Sequence, residues 1–196
     1  MNLPNKLTVV RIVLAPLFLL LTLWDFPFHY LAAGLVFGAA ALTDMFDGRI
    51  ARSRGLITNL GKFLDPLADK MLTTAALLSF LATGHLDVWA LMVVLTREFM
   101  VTSVRLVAAK EGTVIAANLW GKLKTVMQFV AILFEIAALE WASWQTTVLS
   151  GAGLPNAVFT VPLVIGYVLL WISVVLTAVS GVQYVWINRR FFAGEK

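Results

Sequence analysis

Thr43 to Lys70 reads TDMFDGRIARSRGLITNLGKFLDPLADK. Four aspartates are set into it at fixed intervals, Asp44 and Asp47 three apart, Asp65 and Asp69 four apart. Those intervals place side chains on one face of an α-helix. Between the pairs lie Gly55 and Gly61, which suit a tight turn. Outward in both directions the chain becomes apolar, back from Thr43 towards His29 and on from Met71 to Ala82. The stretch therefore reads as two antiparallel helices whose acidic pairs face each other near the hairpin.

The rest of the chain has the same apolar character. Of its 196 residues 60% are hydrophobic, the mean hydropathy is +0.88, and only 13% are charged, against about 25% in a soluble domain. A soluble globule of this size has too little interior to hide so much apolar surface. Disorder, coiled coil, collagen and a disulfide scaffold are excluded by composition. With no cysteine there is no thiol nucleophile and no thiolate metal site. The expected fold is an all-α integral membrane protein with six transmembrane helices, at 8–24, 29–50, 64–84, 87–109, 118–140 and 158–187. Each is close to the ~20 residues that cross a ~30 Å hydrocarbon core. The first helix carries Arg11, expected to snorkel to the headgroups. No cleavage site follows it, only Asp25-Phe26-Pro27-Phe28. No boundary or repeat divides the chain, so residues 1–196 are expected to form one domain.

Charge placement sets the orientation. All 15 Lys and Arg fall near the N-terminus, around the second and fourth connections, or at the C-terminus. The connections at Asp25, at His85 to Asp87 and from Glu140 to Asn156 have none. By the positive-inside rule both termini are cytoplasmic. The net charge of +4 then reflects topology, and no nucleic-acid partner is expected. Trp24, Trp89, Trp141 and Trp144 fall at the outer interface, and Trp120 and Trp186 at the inner one.

Four carboxylates packed together repel unless something positive sits among them. An all-oxygen donor set without His or Cys suits a hard divalent cation, Mg²⁺ or Mn²⁺. Four carboxylates fit two ions better than one, and two metals can clamp the attacking and leaving oxygens of a phosphoryl displacement. Taken singly, Asp65 before Pro66 also suits a helix start and Asp47-Gly48 a common turn. Four in helical register at the membrane boundary, where buried carboxylates are costly, point to function. Gly48 would let a diphosphate approach the helix backbone, and Arg52, one turn on, can reach a phosphate with its fork. Arg97, Glu98 and Arg105 interrupt an otherwise apolar helix, and charges within a span face the protein interior or a wet cavity. Lys122 and Lys124 enter the next helix from the same side. Arg97, Arg105 and Lys124 could hold a second anionic substrate, with Glu98 as partner of an arginine. Glu135 is expected to pair with a polar group. His29 and His85 lie at the far end, away from the aspartates.

In full, Asp44-x2-Asp47-Gly48-x2-Ala51-Arg52-x8-Gly61-x3-Asp65-x3-Asp69 resembles the CDP-alcohol phosphatidyltransferases at each position of their pattern, over 26 residues. The resemblance implies an integral membrane enzyme, often a homodimer. Such an enzyme uses divalent metal to transfer a phosphatidyl group from a CDP-linked lipid to an alcohol, releasing CMP. It implies Asp44, Asp47, Asp65 and Asp69 as metal ligands and Asp69 as the base on the incoming hydroxyl. It also implies Gly48, Arg52 and Thr58 as contacts of the CDP-lipid. Asn2-Leu3-Pro4-Asn5-x-Leu7-Thr8-x2-Arg11, Thr96-Arg97-Glu98, Ser103-x-Arg105 and Gly121-Lys122-x-Lys124-Thr125 are similar to the bacterial phosphatidylglycerophosphate synthases. That branch implies CDP-diacylglycerol and sn-glycerol 3-phosphate as substrates, in the bacterial inner membrane, with the site facing the cytosol. Cardiolipin synthases of the single-site type, which use phosphatidylglycerol, share several of these features, and inositol phosphate or serine are further possible acceptors. A cation transporter with a carboxylate site is the rival of another class. It would carry its acids near mid-membrane on broken helices, whereas these cluster at one end.

Overall fold

The computed structural model describes residues 3–54, 59–110, 112, 113, 115 and 119–189. Within that range the side chains of 3–5, 44–54, 59–63, 65, 66, 69 and 110 are not described. Six helices follow one another: α1 (Leu3–Leu23), α2 (His29–Arg54), α3 (Asn59–Ala82), α4 (Val88–Lys110), α5 (Leu119–Thr147) and α6 (Ala157–Ile187). No strand occurs among the described residues. The connections are short, so consecutive helices alternate in direction. One end of the bundle gathers the start of α1 and the joins α2–α3 and α4–α5. The His85, Asp25 and Asn156 connections lie at the other.

Lys6–Leu23, Leu119–Thr147 and Ala157–Ile187 are long and apolar enough to cross a membrane, by length and composition, among the described residues. Among the described residues the apolar parts of α2 and α3 are His29–Thr43 and Lys70–Ala82.

α1 packs on α2 and α3, α5 on α6 and α2, and α4 on α6. Small residues line these contacts: Ala33, Ala40, Ala68, Ala75, Ala76, Ala90 and Ala131 are all buried. In lipid the apolar surroundings remove most of the drive to bury leucine, so close backbone approach and dispersion hold helices together. Phe18, Phe37 and Phe129 fill the centre, with ring centroids 5.6 Å apart along the chain of contacts. The outer surface is leucine and valine, a face for acyl chains rather than water.

Several helix ends differ from the sequence expectation. α3 begins at Asn59 rather than 64, so Asp65 and Pro66 lie inside the helix and not at its start. α5 continues to Thr147, seven residues past the expected end. Glu140 was the apparent stop, but its carboxylate is satisfied within the bundle. Leu31 N–H donates to its Oε2 at 2.9 Å and Trp144 Nε1 to its Oε1 at 2.7 Å. α4 ends where Gly112 takes φ 72°, with Thr113 N–H bonded to Ala108 at 2.8 Å and Gly112 N–H to Ala109 at 3.1 Å. Glycine accepts this left-handed position without a Cβ penalty. Gly84, φ 79°, closes α3 in the same way and turns the chain so that His85 faces back into the bundle. Arg11 does not snorkel. It is 2% exposed, because α2 and α3 both pack on α1 and enclose its side chain.

Candidate active site

α2 stays helical through Asp44, Asp47, Gly48 and Arg52, and α3 through Asp65 and Asp69. The spacings of three and four therefore put each acidic pair on one helix face. Axial register relates the two pairs. At 1.5 Å per residue, Asp44 lies roughly 15 Å from the end of α2 at Arg54, and Asp69 roughly 15 Å from the start of α3 at Asn59. Asp47 and Asp65 lie roughly 10 Å from the same ends. An antiparallel hairpin of these two helices would bring Asp44 level with Asp69 and Asp47 level with Asp65. The side chains of these four aspartates and of Arg52 are not described, and Thr58 lies outside the described residues.

This donor set is all oxygen and fits hard divalent cations. Among the described residues, which leave out the side chains of these aspartates, no group of three or more His, Asp or Glu could hold a metal ion. His29 and His85 are at the far end of the bundle. His29 Nδ1 is bonded to Phe26 O at 2.8 Å, and His85 Nδ1 is 3.2 Å from Glu135 Oε1. The polar group that faces Glu135 is thus His85, fifty residues away in the sequence, at an ion-pair distance and without hydrogen-bond geometry.

A polar cavity of about 530 Å³ opens between α3, α4 and α5. Its walls include Lys70, Arg97, Arg105, Lys122, Lys124 and, as the one acid among the described residues, Glu98. The three basic residues singled out from sequence are therefore brought together. Glu98 is the hub: its Oε1 accepts from Arg97 Nη1 at 2.9 Å and from Lys124 Nζ. Lys124 also donates to Gln128 Oε1 at 3.2 Å. Lys124 and Gln128 are buried, and the Nε of Arg97 is buried without a hydrogen-bond partner among the described residues. The Arg105 guanidinium lies 5.8 Å from the ring centroid of Tyr184 on α6, within cation–π range. Among the described residues five cations face one carboxylate across this cavity, a lining that suits an anion.

Thr73 joins the cavity to the acidic helix. It lines the cavity and stands four residues after Asp69, hence on the same face of α3. Thr73, Thr102, Gln128 and Tyr184 were not legible as site residues. They are uncharged and lie within apolar stretches, and only the neighbours they meet across helices give them a role.

A family model described as CDP-alcohol phosphatidyltransferase matches residues 1–179. A protein of Bacillus subtilis named CDP-diacylglycerol–glycerol-3-phosphate 3-phosphatidyltransferase is 38% identical, over 93% of each chain. A protein of Mycobacterium tuberculosis named probable phosphatidylglycerophosphate synthase is 39% identical, over 94% of this chain and 80% of its own. One from Rickettsia bellii, named like the first, is 31% identical over 97% of both.

Proposed function

The chain belongs to the CDP-alcohol phosphatidyltransferase family, and from that premise we propose that it transfers the phosphatidyl group of CDP-diacylglycerol to sn-glycerol 3-phosphate. The acceptor hydroxyl attacks the β-phosphorus. The bond to the CMP phosphate breaks, and phosphatidylglycerophosphate and CMP leave. The names of the relatives support this acceptor. The observation that carries it is the basic cavity, in which Arg97, Arg105 and Lys124 stand beside Thr73, one turn along α3 from Asp69.

Asp69 accepts the proton from the acceptor hydroxyl, a task for a carboxylate within reach of it. Arg97, Arg105 and Lys124 hold the acceptor phosphate, with Glu98 keeping Arg97 and Lys124 aimed. Gly48, Arg52 and Thr58 receive the CDP-lipid. Asp44, Asp47, Asp65 and Asp69 bind Mg²⁺ or Mn²⁺, two ions in this reading. The ions would offset the charge of the diphosphate and make CMP a better leaving group.

The chain is an integral membrane protein. The finer reading is one domain over 1–196, with six spans, both termini cytoplasmic and a site facing the cytosol of the bacterial inner membrane. It rests on the distribution of Lys and Arg. For a homodimer the support is the family resemblance alone. Steady-state kinetics in lipid test the acceptor assignment. Lys124→Met and Arg105→Gln should raise the KM for glycerol 3-phosphate while leaving the KM for CDP-diacylglycerol unchanged. An equal rise in both KM values would overturn it.

A further inference from the structure

A second groove lies between α4 and α6. It encloses about 770 Å³ and is apolar along Met92, Val93 and Met100 on one wall and Val182 and Val185 on the other. The α6 wall from Ala178 to Arg189 is roughly 16 Å long at 1.5 Å per residue, about half of a ~30 Å hydrocarbon core. That is the length of an acyl chain in one leaflet. The groove does not end in apolar surface. Trp186 and Arg189 close it at the basic end of the bundle, and both are exposed, as residues at a headgroup boundary are.

Arg97 is the wall that the groove shares with the acceptor cavity. Its stem lies against Gly181, where a Cβ would come 2.8 Å from Arg97 Cγ. Its Nη1 reaches Glu98 on the cavity side. Glycine at 181 thus lets the arginine run between the two helices.

We propose that the α4/α6 groove binds an anionic phospholipid, one acyl chain along the valines and methionines and the phosphate at Arg189, and that the bound chain braces Arg97 for the acceptor. The link to Arg97 rests on the acceptor reading above. Charge decides the occupant. A second copy of the chain would bring its own Arg189 into the same interface, like against like, whereas a lipid phosphate complements it. The lipid meant here is one bound in addition to the substrate.

The test uses the full chain purified in detergent and stripped of lipid, with phosphatidic acid and phosphatidylcholine as probes and no CDP-diacylglycerol present. Native mass spectrometry should show one phosphatidic acid per chain, bound about tenfold or more tighter than phosphatidylcholine. Val182→Trp, at a position 72% exposed, fills the groove without touching the core and should abolish that binding. Arg189→Gln should bring phosphatidic acid down to the level of phosphatidylcholine. In turnover, phosphatidic acid should lower the KM for glycerol 3-phosphate in the wild type and not in Val182→Trp. Equal binding of the two lipids, binding indifferent to Val182→Trp, a dimer that Val182→Trp splits, or an unchanged KM would overturn the proposal. Intact lipid binding in a protein that releases no CMP would count against the acceptor reading, not against the lipid site.

Discussion

Glu98→Gln is the most informative single change in the basic cavity. In the wild type one carboxylate oxygen holds both Arg97 and Lys124, and both cations are largely buried: their side chains are 11% and 6% exposed. Two donors on one oxygen are no more than about 6 Å apart. The repulsion of two positive charges at that distance is present in the wild type too; what the variant loses is the carboxylate that offsets it, and removing one partner from a buried charge cluster costs about 3 kcal/mol. For a chain of this length each kcal/mol moves Tm by about 2–4 °C, so the variant should melt roughly 6–12 °C lower. The deficit has a diagnostic remedy. A phosphate bound between the cations restores the missing negative charge, and binding to the folded state raises stability by about 2.7 kcal/mol at a hundredfold excess over Kd. Glycerol 3-phosphate should therefore recover most of the lost Tm, and glycerol none. Tryptophan fluorescence in detergent gives the readout, since the chain has 7 Trp and no Cys for a thiol dye. An unchanged Tm, or a deficit that glycerol 3-phosphate and glycerol relieve equally, would refute the reasoning.

Three further outcomes follow from other parts of the molecule. Gly166→Ala should lower Tm by a few degrees, against the usual gain of ~1 kcal/mol for alanine in a helix. Its Cβ would sit 1.9 Å from Oε2 of the fully buried Glu135, an overpacking of about 1–3 kcal/mol, and Glu135→Ala in the same chain should relieve part of it, as thermal melts of both variants would show. Removal of divalent metal with a chelator should abolish CMP release and Mg²⁺ or Mn²⁺ should restore it; persistent turnover in the chelator would remove the metal from the account. Arg11→Leu should lose less stability than Arg11→Ala in thermal melts, because the side chain is enclosed by α2 and α3 and its volume as well as its charge is at stake.

Much of this architecture is legible from hydropathy because each apolar run is interrupted where the chain turns. The number of helices follows from that, and their ends do not. Glu140 reads as a stop until Leu31 and Trp144 are seen to satisfy it, and Pro66 reads as a start although α3 begins at Asn59. Arg11 reads as a snorkelling charge because a single helix cannot show that two others cover it. Arg97, Glu98, Arg105 and Lys124 stand out in the sequence because a charge in an apolar run is costly and therefore conspicuous. Gln128, Thr73 and Tyr184 carry no such mark, and the groove between α4 and α6 depends on Gly181 and Arg97 meeting across eighty residues of chain.

The account turns on phosphatidyl transfer to glycerol 3-phosphate with Asp69 as base. The measurement that tests it most directly is CMP release from CDP-diacylglycerol by the full chain in lipid with Mg²⁺ or Mn²⁺. Glycerol 3-phosphate would be compared with phosphatidylglycerol, serine and inositol phosphate, and wild type with Asp69→Asn. The account predicts release that depends on glycerol 3-phosphate and metal and is lost in the variant. Release with another alcohol only, or undiminished release from Asp69→Asn, would contradict it.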